Sequence, residues 1–243
     1  MAYIRTKKVK GKEYKYLVEG YRDKDGKVRQ RTIKYLGAVS LKLGENSLVT
    51  AQLRNITFEE YLSYDDAPKA DGGTDSRYEL VDGELILMPP ATARHSDIID
   101  FIADCFKAIA LEYQLDIKVK TGDVGVKTGV NSCLIPDISV IEGSVWRSMP
   151  RDVSAVIQVP LLLAVEVVSP GTEQIERDYT DKAIEYQNTG ISEYWIVDPI
   201  EQKITVLVLD KGSYTKTVFT GDDAIASATF PQLEVTAEEI LSA

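Results

Sequence analysis

The sequence predicts an α/β protein, with a three-layer core in which a mixed central sheet is flanked by helices, and a β-hairpin at the N-terminus. Three observations carry this. Residues 159–168, Val-Pro-Leu-Leu-Leu-Ala-Val-Glu-Val-Val, form an apolar run closed by Ser169-Pro170-Gly171, the pattern of a strand buried on both faces. Helical patterns precede and follow that run and another strand comes after, so the order helix, strands, strand, helix, strand calls for helices on both faces of a sheet. Near the N-terminus, two strand-like stretches flank Asp25-Gly26, a strong hairpin signal.

Taken in order, residues 13–22 and 27–36 read as two strands around the turn Asp23-Lys24-Asp25-Gly26. Residues 37–55 lack periodicity and read as a linker. The expected organisation is a basic hairpin over 1–40, a linker over 41–55 and a main domain over 56–243. Thr57-Phe58-Glu59-Glu60 has the form of a capping box opening a short helix. Residues 65–76 are rich in Asp, Gly, Pro and Ala and read as a loop. Residues 77–87 form a second hairpin about Asp82-Gly83. A helix is expected from about Ala93 to Tyr113, its apolar face formed by Ile98, Ile102, Cys105, Phe106, Ile109 and Ala110.

Residues 116–127 alternate and predict a strand pair bent at Gly122-Asp123. Buried strands are expected over 133–141 and 161–168, a helix over 174–189 ending at Gly190, and a strand over 193–197. A last hairpin spans 203–209 and 213–219, and Glu238-Glu239-Ile240 belongs to a short helix.

The net charge of −10 conceals an asymmetry. Residues 1–45 hold 13 Lys/Arg and 5 Asp/Glu, a net +8, which leaves 15 basic and 33 acidic residues, a net −18, for the rest. A basic arm on an acidic body predicts an anionic partner for the arm, or else a solvated basic hairpin. Cys105 and Cys133 stand outside any metal-ligand pattern, so a reduced, cytoplasmic protein is expected. No leader-like or membrane-length apolar run is visible. No Gly-rich phosphate loop, Ser-His-Asp set or paired-Cys motif occurs, so no nucleotide cofactor is implied.

The residues that ask for chemistry lie between Cys133 and Pro199. Glu166 sits inside the buried run, where an unpaired charge is costly and needs a cation, a metal or a solvated cleft. Asp137 meets the same problem at the start of its own apolar run. Asp178, Lys182 and Tyr186 recur every four residues and would share one helix face. Two carboxylates on neighbouring strands with a lysine beside them suit a hard divalent cation and an anionic substrate. The plain alternatives are a strand-entry cap for Asp137, a salt-bridged strand carboxylate for Glu166 and a solvated lysine paired with Asp178 for Lys182.

Pro136-Asp137 followed by Glu166 on an apolar strand resembles the PD-(D/E)XK, or restriction-endonuclease-like, superfamily. The longer series "YELVDGEL", "PPATARH", "PDISVI", "LLAVEVVSPGT" and "RDYTDKAIEYQNTGISEYWIVDP" resembles the Uma-two family over residues 56–240. The resemblance implies a nuclease domain over 56–243. It implies Mg²⁺, with Mn²⁺ as a substitute, held by Asp137 and Glu166, and DNA cleavage leaving a 5′-phosphate. The superfamily's Glu-x-Lys lysine is missing, since Val168 stands there; the role would pass to Lys182, near the attacking water, with Asp178 and Tyr186 orienting it. The family also implies a His after the Pro-rich turn near the phosphate, here His95, and a further carboxylate from the preceding hairpin, Glu79 or Glu84. The alternative is a catalytically degenerate nuclease fold acting as a DNA-binding or transposon-associated accessory factor. Residues 1–40 resemble the start of some insertion-sequence transposases. Restriction-like enzymes are often homodimers, but no interface is legible here.

Overall fold

The structure is a computed structural model that describes residues 2–9, 12–22 and 28–39 as strands, and residues 56–63, 77–88, 90–171 and 175–243 in full. The chain divides into two compact units, Met1–Gln52 and Leu53–Ala243.

The first unit is a three-stranded antiparallel sheet of β1 (Ala2–Val9), β2 (Lys12–Arg22) and β3 (Val28–Val39), in the order β1-β2-β3. The expected hairpin is thus two of three strands; β1 was too basic and too weakly alternating to stand out. Its expected turn, 23–26, the 65–76 loop and most of the expected linker lie outside the described residues, while Gly37 to Val39 belong to β3.

The second unit opens with α1 (Phe58–Leu62), where Thr57 and Glu60 cap each other reciprocally. Next come the hairpin β4 (Arg77–Val81) and β5 (Glu84–Met88), then α2 (Ala93–Glu112). Strands β6 (Ile117–Thr121), β7 (Gly125–Gly129), β8 (Ser132–Leu134) and β9 (Ile138–Glu142) follow, then α3 (Gly143–Ser148) and the two-residue β10 (Val156–Ile157). After β11 (Leu163–Val167), a π-helical turn (Arg177–Asp181) runs into α4 (Lys182–Thr189). Strands β12 (Glu193–Asp198), β13 (Lys203–Asp210) and β14 (Ser213–Phe219) and helix α5 (Ala237–Leu241) complete the unit.

Six strands form a mixed sheet in the order β14-β13-β12-β11-β9-β6, in which only β11 and β12 run parallel. The other five form a second sheet, β10-β7-β8-β4-β5. Two expectations are corrected here. Residues 116–127 are not a strand pair: β6 joins the large sheet and β7 the small one. The segment 133–141 is not one strand, because Pro136 lacks a ladder N–H and the chain changes sheets there. Both crossings meet at one point, where the Gly122 N–H donates to the Asp137 carbonyl at 2.9 Å.

The centre of the large sheet is buried on both faces, which is why β11 shows no alternation in sequence, while the edge strand β14 is largely exposed. One face packs Val165, Val167 and Trp195 against Ile98, Ile102 and Phe106 of α2, with Ile240 and Leu241 of α5. Phe106 meets Trp195 edge-on at 5.4 Å and stacks on Phe230 at 4.3 Å. The other face packs Ala164, Tyr194 and Ile196 against Tyr186 of α4 and against Val126 and Leu134 of the small sheet. A helix and a second sheet therefore share this layer. No helix among the described residues is long and apolar enough to cross a membrane.

Candidate active site

The polar site lies where the large sheet, the small sheet and α4 meet. Antiparallel pairing of β9 with β11 aligns Val140 with Leu163, Ser139 with Ala164 and Ile138 with Val165. One step further, that register sets Asp137 opposite Glu166. Asp137 Oδ2 accepts the Val167 N–H at 2.8 Å, closing the end of the ladder with a side chain. The same oxygen lies 3.2 Å from His95 Nε2, on the first turn of α2. Both contacts use Oδ2, which leaves Oδ1 for a further ligand, and the side chain keeps 17% of its exposure.

Glu166 points to the face shared with α4. Tyr186 Oη donates to its Oε1 at 2.7 Å, and Lys182 Nζ lies 2.7 Å from its Oε2. Lys182 Nζ is also 3.5 Å from Glu79 Oε1 and 3.7 Å from Asp178 Oδ1. Arg177 grips the other oxygen of Glu79, whose Oε1 accepts the Ile135 N–H at 2.9 Å. Glu79 is wholly buried.

The π-helical turn explains how two cations reach one carboxylate. The Lys182 N–H donates to the Arg177 carbonyl, five residues back. On an α-helix, side chains five apart diverge by about 140°. The wider turn brings Arg177 and Lys182 to the same side, and such turns recur at functional sites.

Of the residues singled out from sequence, the fold gathers Asp137, Glu166, Lys182, Asp178, Tyr186, Glu79 and His95. Glu84 is not among them; it shares the face of Glu79 but stands opposite Val81 at the turn end of the hairpin, where it is exposed. Arg177 went unnoticed, because the four-residue spacing of Asp178, Lys182 and Tyr186 assumes a regular α-helix. The one available signal was its place at the head of the "RDYTDK" motif.

Charge is unbalanced in this cluster. Four carboxylates (Glu79, Asp137, Glu166 and Asp178) face two permanent cations, Arg177 and Lys182. Burial works against the charge on Lys182, but Glu166 and Glu79 outweigh it and raise its pKa. Lys182 is therefore cationic, and the surplus negative charge falls on Glu166. Burial pushes that carboxyl up to about 8; Lys182 opposes the rise, while Asp137, Asp178 and Glu79 add to it. Burial likewise raises Asp178 against the pull of Lys182 and Arg177. Tyr186 is raised well above the ordinary phenol range by burial and by Glu166, so it stays a neutral donor.

A divalent cation fits this donor set. It would offset the two surplus negative charges, and Asp137 Oδ1 with a second lone pair on Glu166 offers hard oxygen ligands. No group of three or more His, Cys, Asp or Glu side chains among the described residues is arranged to hold a metal ion. Two carboxylates completed by waters suit Mg²⁺ better than an ion that needs an all-protein cage.

The mixed sheet, its flanking helices and this carboxylate pair define a restriction-endonuclease-like fold. The chain belongs to the Uma2 family, described as "Putative restriction endonuclease", whose model matches residues 58–238. Residues 4–56 match the model described as "IS1634 family transposase, N-terminal domain". Among solved structures, the chain is similar to one described as a "putative nuclease belonging to DUF820" from Anabaena variabilis ATCC 29413. The match has 20% identity, covers 77% of this chain and 98% of that one, and has a TM-score of 0.60, a likeness of fold. No curated protein matches the chain significantly.

Proposed function

We propose that the protein is a divalent-metal-dependent endonuclease that hydrolyses DNA phosphodiester bonds. The observation that carries this reading is the alignment of Asp137 with Glu166 at the end of the β9–β11 ladder, with Lys182 2.7 Å from Glu166. The family's description and the fold support it.

In this reading Asp137 and Glu166 hold Mg²⁺, and Mn²⁺ can substitute. When bound, such an ion supplies an activated water at neutral pH and neutralises charge on the phosphate. The protein's own groups prepare the ligands. The Val167 N–H and His95 hold Asp137, while Tyr186 and Lys182 hold the two oxygens of Glu166. Lys182 puts a fixed positive charge beside the place of attack. Asp178 and Glu79 hold Lys182 there, and Arg177 in turn holds Glu79. Water adds across the P–O3′ bond, which leaves a 5′-phosphate and a 3′-hydroxyl.

One observation favours a second reading. Lys182 is only 4% exposed and its amine faces three carboxylates, an arrangement that also suits a structural counter-ion. The protein would then be a degenerate nuclease fold that binds DNA or accompanies a transposon. Plasmid nicking with Mg²⁺ or Mn²⁺, beside an EDTA control and the variants Asp137→Asn and Lys182→Ala, separates the two. Metal-dependent nicking lost in Asp137→Asn establishes the nuclease, and its loss in Lys182→Ala as well assigns the lysine. Nicking that persists in a folded Asp137→Asn protein overturns the site, and no nicking with either metal supports the second reading.

A further inference from the structure

We propose that Met1–Gln52 is a separate module that binds the phosphate backbone of duplex DNA and holds it for the acidic main unit. The purpose rests on the nuclease reading; the binding does not.

Charge and fold divide the chain at the same place. The first unit, Met1–Gln52, holds 13 Lys/Arg against 5 Asp/Glu, a net +8. The second, Leu53–Ala243, holds 15 against 33, a net −18. Duplex DNA carries one negative charge per about 1.7 Å of axis. A body of −18 repels such a polymer, so a site on that body gains from attraction supplied elsewhere on the chain. The second unit's membership of a family described as restriction endonucleases is what favours DNA over an acidic protein as the polyanion.

The register of the first sheet places basic positions on both sets of rows: Lys15, Arg29, Arg31 and Lys34, with Glu19 among them, on one set, and Arg5, Lys7, Lys12 and Arg22 on the other. Along β2, Leu17 pairs with Lys34, Glu19 with Arg31 and Tyr21 with Arg29. Rows two apart share a face of a sheet. Arg29 and Arg31 are two apart in sequence, but Lys34 has the opposite parity and would fall on the other face of an unbroken ladder. The register shift between Leu17 and Val18 restores it to the alternate rows of Arg31 and Arg29. Lys15, paired with Thr6 of β1, occupies the next row of the same set. Four basic positions thus follow alternate rows of β2, from Lys15 to Tyr21. That line extends roughly 20 Å at about 3.3 Å per residue, long enough to follow several phosphates. The match of residues 4–56 to a transposase N-terminal domain is consistent with a module distinct from the nuclease unit.

The test is fluorescence anisotropy of a short mixed-sequence duplex titrated with the full chain in EDTA, over a series of salt concentrations. About four neutralised phosphates predict about 100-fold weaker binding between about 50 and about 200 mM salt. The combined variant Lys15→Gln, Arg29→Gln, Arg31→Gln and Lys34→Gln and its counterpart on the intervening rows, Arg5→Gln, Lys7→Gln, Lys12→Gln and Arg22→Gln, are each checked for folding by circular dichroism, and one of the two should lose most of that affinity and most of the salt slope. Lys211→Gln, at an exposed lysine of the second unit, should bind as the unmodified chain does. Absence of binding at low salt, salt-independent binding in the unmodified chain, or unchanged binding by both folded four-site variants each overturns the proposal. Tight salt-dependent binding without any metal-dependent nicking would keep the module and remove the nuclease reading.

Discussion

Lys182 Nζ stands 2.7 Å from Glu166 Oε2, and both side chains are almost wholly buried. A buried ion pair of this kind adds little relative to a well-packed apolar pair, but losing one partner strands the other charge. Lys182→Met should therefore lower unfolding free energy by about 3–5 kcal/mol in urea titrations. Adding Glu166→Gln should recover much of that loss. If the double variant is no more stable than Lys182→Met, the two residues are not energetically coupled.

The metal-free protein should lose stability as pH rises from 4.5 to about 8. Glu166 is raised in the fold, so the folded state binds its proton more tightly than the unfolded chain does. Its contribution is complete below the ordinary value of 4.5 and is gone above about 8. Lys182 titrates above this window. Thermal melts in EDTA should show the decline, and Glu166→Gln should reduce it, leaving the part that comes from Asp178, Asp181 and Glu185, which burial also raises. Mg²⁺ should reduce it in the unmodified chain, because a bound cation replaces the proton.

Arg177 should matter although it touches neither Asp137 nor Glu166 by hydrogen bond or ion pair among the described contacts. It holds Glu79, which is wholly buried and also faces Lys182. Arg177→Ala leaves that carboxylate short of a partner, at about 1–3 kcal/mol of stability. Arg177→Lys should recover only part, since an ammonium cannot reproduce the planar fork. Chemical denaturation of the three proteins gives the order; equal stability of all three would refute the role.

Gly143 tests a packing point away from the site. A methyl group there would lie 2.1 Å from Asp116 Oδ1. That carboxylate bridges Arg147 through contacts of 2.6 and 2.8 Å. Gly143→Ala should displace this exposed carboxylate from Arg147 and cost no more than about 1 kcal/mol. In an Asp116→Ala background the same change should cost clearly less, and denaturation midpoints of the four proteins close the cycle.

Much of the site was legible because its signals are local. Glu166 was conspicuous as a charge inside an apolar run. The spacing of Asp178, Lys182 and Tyr186 placed them together on one helix. Each inference needs only the period of a strand or helix. The hairpin carboxylates Glu79 and Glu84 stayed open alternatives, because both lie on one face of the hairpin and only the packing at its turn end separates them.

The sequence by itself determined the α/β class, both hairpins of the main unit, α2 and the charged residues Asp137, Glu166, Asp178 and Lys182, but not Arg177. The tertiary structure decided which strands share a sheet, since pairing partners depend on contacts between distant segments. It split 133–141 at Pro136 and sent β6 and β7 to different sheets. It also set Asp137 opposite Glu166, through a register no local pattern encodes. It brought Arg177 beside Lys182 as well, because the wider π-helical turn departs from the 3.6-residue period that sequence reading assumes.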